Sequence, residues 1–316
     1  MPLAHADQAT DDPDLSRRLR RRLRMRRRRK KAYIRSVYFL PSLATLGNAV
    51  CGFGAIYVCH LNVHDAGTDP WTVGFAEHRF LVACYLLLLA MVFDALDGRL
   101  ARWARHTTDF GGQLDSMADM LSFGAAPAMI ALALFKYEAP DAPLFVGRLV
   151  WAMGAIYVSC AAIRLARFNV INEHGEQAHM SFLGLPSPGA AAAVIGAVLI
   201  HQELRETYNP IADGTWKEIL KGLAHAVVYT LPALTLAAGL LMVSAFRFPH
   251  LVNKYLRGRR SIGRLIATLL FLLLLVTIHR YTIGVAAIAY AIGVPLWFLW
   301  LRRRPVRPAS TVTPPV

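Results

Sequence analysis

Hydrophobic positions in this chain are gathered into long unbroken runs, separated by short polar stretches, rather than spaced along amphipathic faces. Eight runs of about 18–24 residues are each long enough to cross the hydrocarbon layer of a bilayer as a helix. They cover 38–59, 80–100, 113–135, 146–168, 184–202, 224–245, 262–279 and 282–301. The pattern predicts an all-α, polytopic helical membrane protein with about eight transmembrane helices. It is not the alternation of apolar and polar residues that a membrane β-barrel needs. Pro186 opens the fifth run, where proline is tolerated because the N–H it lacks would have had no helical partner. The connections are short except 202–222, which carries Glu203, Glu206, Asp213 and Glu218. There is no internal repeat. The expected organisation is a disordered, basic amphipathic segment over 1–36, one membrane domain over 37–302 and a disordered tail over 303–316.

Composition narrows the class. Of 316 residues 55% are hydrophobic and only 17% charged, where a soluble chain carries roughly a quarter. That excludes a soluble globular enzyme, a disordered protein and a secreted disulfide scaffold. The net charge of +15 invites a nucleic-acid reading, but its placement argues for a membrane. Thirteen of the 35 Lys and Arg residues lie between Arg17 and Arg35, and six more between Arg247 and Arg264. With an even number of spans both termini share one side, and that side holds most of the basic residues. The positive-inside rule then puts both termini in the cytoplasm, with the chain in the cell (inner) membrane. The Arg-rich segment is an orientation signal resting on anionic head groups, and nucleic acid is not an expected partner. Cys51, Cys59, Cys84 and Cys160 fall inside apolar runs with no metal or redox spacing. Trp297 and Trp300 suit an interfacial belt.

Four carboxylates stand where a membrane protein should have none. Asp94 and Asp97 lie near one end of the second run; Asp115 and Asp119 open the third. Spacings of three and four put each pair on one helix face. The short connection makes the two helices antiparallel neighbours, with both pairs at similar depth. Four such carboxylates cannot all be charged without cations. Oxygen ligands alone select Mg²⁺, Mn²⁺ or Ca²⁺ over zinc or copper. Two readings fit: a two-metal clamp for phosphoryl chemistry, or the cation pathway of a transporter. Gly98 and Gly111 place bare backbone beside the carboxylates, and Arg102 can meet a phosphate. These features favour the first reading.

The window reads Asp94, Asp97, Gly98, Ala101, Arg102, Gly111, Asp115, Asp119. It resembles the CDP-alcohol phosphotransferase signature D-x2-D-G-x2-A-R-x8-G-x3-D-x3-D at every fixed position. At common residue frequencies a chance match is on the order of 10⁻¹⁰ per starting point. The resemblance implies an integral membrane enzyme, usually a homodimer, with Asp94, Asp97 and Asp115 as metal ligands. Asp119 would be both a ligand and the catalytic base, while Gly98, Ala101, Arg102 and Gly111 border the CDP moiety. The segments 40–53, 116–128, 164–169, 182–188 and 242–249 resemble the phosphatidylserine synthase subgroup. One departure is Ser42, where the subgroup more often has Asn. This implies transfer of the phosphatidyl group from CDP-diacylglycerol to L-serine with Mg²⁺ or Mn²⁺, giving phosphatidylserine and CMP. Another acceptor, glycerol 3-phosphate or inositol, is the alternative within the family. Arg164 and Arg167 are candidates for the serine carboxylate or lipid phosphate, against a reading as positive-inside markers. Thr45 and Asn48 either contact the cytidine or satisfy each other and the backbone. His106 reads as a loop histidine rather than a base.

Overall fold

Length and hydropathy are realised as helices throughout: the computed structural model describes residues 42–61, 70–104, 109–173, 184–211, 213–246 and 262–302, and no strand occurs among them. The first helix, α1, is Ser42–Cys59. A short α2, Pro70–Glu77, leads into α3, Arg79–Ala104. The next crossing is a single run built from α4 (Asp109–Asp119), a π-helical turn (Met120–Ala125) and α5 (Ala126–Glu138). Then come α6 (Leu144–Glu173), α7 (Ser187–Tyr208), α8 (Thr215–Val243), α9 (Ile262–Thr277) and α10 (His279–Arg302).

The core is organised around α7. Its Ala-rich first half and the Val194–Leu199 stretch are buried, and it packs against α3, α5, α8 and α10. In lipid there is little hydrophobic drive between helices, so close approach through small residues carries the packing. At the crossing of α7 and α10, Gly196 faces Gly284: a methyl on Gly196 would lie 2.8 Å from the Gly284 Cα. Where α8 crosses α6, a methyl on Gly239 would lie 2.9 Å from the Tyr157 Cα. The start of α7 is tied to the end of α8. Gly184 takes φ 87°, which a side chain would strain. Its N–H donates to the Phe246 carbonyl at 2.8 Å, and that of Leu185 to the Leu241 carbonyl at 2.9 Å.

Helix length and hydropathy among the described residues do not confirm the expected count of eight crossings. Six of the described helices are long and apolar enough to span a membrane: α1, α3, the α4–α5 run, α6, α8 and α10. The fifth run, α7, has the length at 22 residues but is less apolar, because Ser187-Pro188-Gly189 and His201-Gln202-Glu203 make both its ends polar. It is sheathed by protein, with His201 only 1% exposed. Of the seventh run the described helix is Ile262–Thr277, 16 residues. Only Ile278 separates α9 from α10, so the expected loop between the last two runs is a sharp corner. The Thr282 hydroxyl donates back across it to the Leu274 carbonyl at 3.0 Å. Residues Leu269 to Leu273 are exposed around the helix, as a lipid-facing segment would be. The long 202–222 connection also differs from expectation. Helix α7 continues to Tyr208 and α8 starts at Thr215, because Glu203, Arg205 and Glu206 have partners: Arg205 pairs with Glu138 at 3.1 Å, and Arg280 with Glu203 at 2.9 Å. The 1–36 segment and the 303–316 tail lie outside the described residues.

Candidate active site

Helix α3 runs down to Ala104 and α4 starts back from Asp109, so both carboxylate pairs meet at one end of the bundle. Carboxylate oxygens of Asp94, Asp115 and Asp119 lie within 4.8 Å of one another. Asp97 is buried and accepts a hydrogen bond from the Thr45 hydroxyl. It stands outside that trio but within electrostatic range of Asp94 and Asp115.

Helix α1 supplies the other wall. Thr45, Asn48 and Gly52 fall at i, i+3 and i+7, on one face. Asn48 donates through Nδ2 to Asp119 Oδ1 at 3.0 Å. Thr45 thus reaches Asp97 and Asn48 reaches Asp119, so each restrains one carboxylate. The close approach is made possible by Gly52, where a methyl would lie 2.7 Å from the Ser122 Cα. Ser122, buried in the π turn, donates to the Asn48 carbonyl at 2.9 Å. Tyr157 of α6 donates to the Phe123 carbonyl at 2.8 Å. A π turn widens the helix and is costly unless held. Here it follows directly on Asp119 and is fastened from α1 and α6.

Helix α6 brings Arg164 to the same place. Its Nη1 donates to Ser187 Oγ at 2.6 Å, and its charge acts on Asp94 and Asp119. Arg167, one turn further along, is exposed. Asn169 accepts from Ser116 Oγ at 3.0 Å, which joins α6 to α4 beside Asp115. Gly98 and Gly111 are half-buried at the facing ends of α3 and α4. Ala101 and Arg102 belong to the last turn of α3, but their side chains, like His106, lie outside the described residues.

Two buried atoms here have no hydrogen-bond partner among the described residues: Asn48 Oδ1 and Arg164 Nε. Leaving such groups unpaired costs about 1–3 kcal/mol each, so an acceptor and a donor are held open at the carboxylates. Three clustered acids, an additional acidic neighbour and an open amide oxygen make an all-oxygen donor set. That set fits a hard divalent cation, and Arg164 fits an anion beside it. Sequence reasoning found the carboxylates, Thr45, Asn48 and Arg164, but not Gly52, Ser122, Tyr157 or Ser187. The i, i+3, i+7 spacing of Thr45, Asn48 and Gly52, within the 40–53 segment, was a signal available for Gly52.

Fold and site together define a helical membrane protein with an acidic, metal-competent centre at one end of its bundle. The sequence model of the CDP-alcohol phosphatidyltransferase family matches residues 38–246, and the chain belongs to that family. It is 30% identical over 217 residues to a CDP-diacylglycerol–serine O-phosphatidyltransferase of Helicobacter pylori, covering 69% of this chain and 74% of that one. The Bacillus subtilis protein of the same name is 31% identical over 216 residues, 67% of this chain and 90% of the relative. That of Methanocaldococcus jannaschii is 31% identical over 169 residues, covering 54% and 64%.

Proposed function

We propose that this chain transfers the phosphatidyl group of CDP-diacylglycerol to the hydroxyl of L-serine, giving phosphatidylserine and CMP. The observation that carries the reading is the convergence of Asp94, Asp115 and Asp119 within 4.8 Å, on the signature spacing of a family of such transferases. The names of the relatives support serine as the acceptor.

In this reading Mg²⁺ or Mn²⁺, held by Asp94, Asp97, Asp115 and Asp119, would draw charge from the diphosphate as CMP leaves. The serine oxygen bonds to the phosphorus bearing the diacylglycerol, and the bond from that phosphorus to the CMP oxygen breaks. Asp119 accepts the hydroxyl proton, with Asn48 holding its other oxygen so that the basic one stays aimed at the acceptor. Thr45 steadies Asp97 in the same way. Arg164, anchored by Ser187, takes the lipid phosphate, and exposed Arg167 takes the serine carboxylate at the mouth. Gly98, Ala101, Arg102 and Gly111 border the CDP moiety, with Thr45 and Asn48 beneath it. The reactive end faces the cytoplasm, where serine is supplied and CMP released. Both termini lie on that side of the cell membrane, and the enzyme works in the bilayer as a homodimer.

The deciding experiment is CMP release by the purified protein from CDP-diacylglycerol, with serine, glycerol 3-phosphate and inositol offered separately. Rapid release with serine alone is the expected result. Release with glycerol 3-phosphate or inositol instead would move the chain elsewhere in the family.

A further inference from the structure

The crossing that carries Asp115 and Asp119 changes its winding just past them. At the end of the π turn the Ala126 N–H reaches the Leu121 carbonyl, five residues back instead of four. Pro127 follows directly. A proline inside a helix has no N–H for the carbonyl four residues back, and its ring crowds that carbonyl. Here that carbonyl belongs to Phe123, and it is the one to which the Tyr157 hydroxyl donates at 2.8 Å. The phenol stands in for the backbone donor that the proline lacks. Phe123 and Tyr157 are both fully buried, so bulk water does not reach this bond. Tyr157 is itself held from behind by α8, through the close approach of Gly239 to its Cα. A proline announces a break in the ladder but not its form, and here the form matters. On an unbroken α-helix the buried face of α5, with Ile130, Ala131, Leu134 and Phe135, would stand roughly 100° around the axis from Asp115 and Asp119. The extra residue in the π turn takes up about one residue's rotation, roughly 100°. Carboxylates and core face are thereby brought into line on one crossing.

We infer that Tyr157 is a positioning residue for Asp119. By taking up the Phe123 carbonyl it keeps the turn wound with its extra residue, so that the carboxylates stay aimed at the site while α5 stays seated in the core. The inference rests on the transferase reading, in which Asp119 serves the chemical step. Without the hydroxyl, the buried carbonyl loses its donor from α6, and rewinding of the turn relieves it. Helix α5 is packed against α6, α7 and α8, so the rotation falls on α4 and carries Asp119 away from Asp94.

The test compares the full chain in detergent with Tyr157→Phe, which keeps the ring and removes only the donor. Mn²⁺ titration followed by electron paramagnetic resonance reads the carboxylates without turnover. CMP release at saturating Mn²⁺ reads the chemical step. Tyr157→Phe should bind Mn²⁺ several-fold more weakly. Its kcat should fall about tenfold, the scale of one lost buried hydrogen bond, with the KM for serine and for CDP-diacylglycerol nearly unchanged. Ser159→Ala removes a hydroxyl from the same helix, an exposed one bonded to the Ala155 carbonyl, and should change neither. Pro127→Ala restores the backbone N–H, so loss of the hydroxyl in that background should have little further effect. An undiminished further loss there would overturn the inference. So would an unchanged kcat in Tyr157→Phe, even with a lower melting temperature, since Tyr157 would then serve the fold alone. A parent that turns over with no acceptor would sink the transferase reading instead. The Mn²⁺ titration would then decide, and equal affinity in parent and Tyr157→Phe would overturn the inference as well.

Discussion

Asn48 and Asp119, on different helices and 71 positions apart, are joined side chain to side chain at 3.0 Å. The amide is only half used: its Oδ1 is buried with no partner among the described residues. Asn48 therefore fixes one oxygen of the carboxylate and holds an acceptor open beside it. This arrangement suits the proposed role of Asp119, a base oriented by Asn48 without being neutralised.

Replacing Asn48 by Leu should remove that restraint. A hydrogen bond to a charged group is worth about 1.5–3 kcal/mol, so kcat for CMP release should fall about 10- to 150-fold. The KM for serine should change little. Thr45→Val should act similarly through Asp97. Unchanged kcat in Asn48→Leu would show that Asp119 needs no support from α1.

Gly52→Ala tests the helix approach that makes this bond possible. The added methyl would lie 2.7 Å from the Ser122 Cα, whereas one on Gly54 meets only Leu86 Cδ1 at 3.5 Å. Overpacking costs about 1–3 kcal/mol. Gly52→Ala should therefore lower the melting temperature in detergent and depress kcat, and Gly54→Ala should do neither. Parallel unfolding and CMP-release measurements separate the two outcomes.

The two carboxylate pairs and their meeting at one end were legible because helical spacing and a short connection dictate both. The π turn was not. Nothing in Met120–Ala125 departs from an ordinary apolar run, and its widening is paired with contacts from Asn48 and Tyr157 that are distant in sequence. The role of α7 was hidden for a related reason. Hydropathy reads its Ala-rich run as another lipid-exposed span, but its small residues serve close contacts with other helices. Charges at 203–206 suggested a loop only because their partners, Glu138 and Arg280, lie on other elements. Hydropathy also fixed run lengths better than run ends, which is why the corner at Ile278 escaped notice.

The acidic centre carries a metal expectation. A chelator should abolish CMP release, and Mg²⁺ or Mn²⁺ should restore it while a monovalent salt does not. Asp94→Asn, Asp97→Asn and Asp115→Asn should lose both turnover and CDP-lipid binding. Asp119→Asn should retain more of the binding, because the base role proposed for it belongs to the chemical step. Equal loss of lipid binding in all four variants would leave Asp119 as a ligand only.

Orientation can be read by labelling. All four native cysteines are buried and free, so introduced ones should dominate reaction with an impermeant maleimide. Cysteine at position 213 should label from outside the cell, and one at 257 only after the membrane is opened. The opposite pattern would put the carboxylate end on the side away from cytosolic serine.

The last expectation concerns the acceptor. Serine is a zwitterion, so its pocket needs a cation for the carboxylate and an acceptor for the ammonium. Glycerol 3-phosphate would need more positive charge, and inositol none. Arg164 is drawn inward by Ser187 at 2.6 Å and by the field of Asp94 and Asp119, which suits the phosphate under attack. Arg167 is one turn nearer the end of α6 and exposed, where a soluble amino acid arrives first. Loss of one charged hydrogen bond worth ~1.5–3 kcal/mol should raise the serine KM of Arg167→Ala about tenfold or more, with the KM for CDP-diacylglycerol nearly unchanged. Arg164→Lys keeps the charge but lacks the planar fork and the Nε donor. It should lower kcat and leave the serine KM nearly constant. Steady-state kinetics with each substrate varied in turn would test this division. A serine KM that rises in Arg164→Lys and not in Arg167→Ala would exchange the two roles.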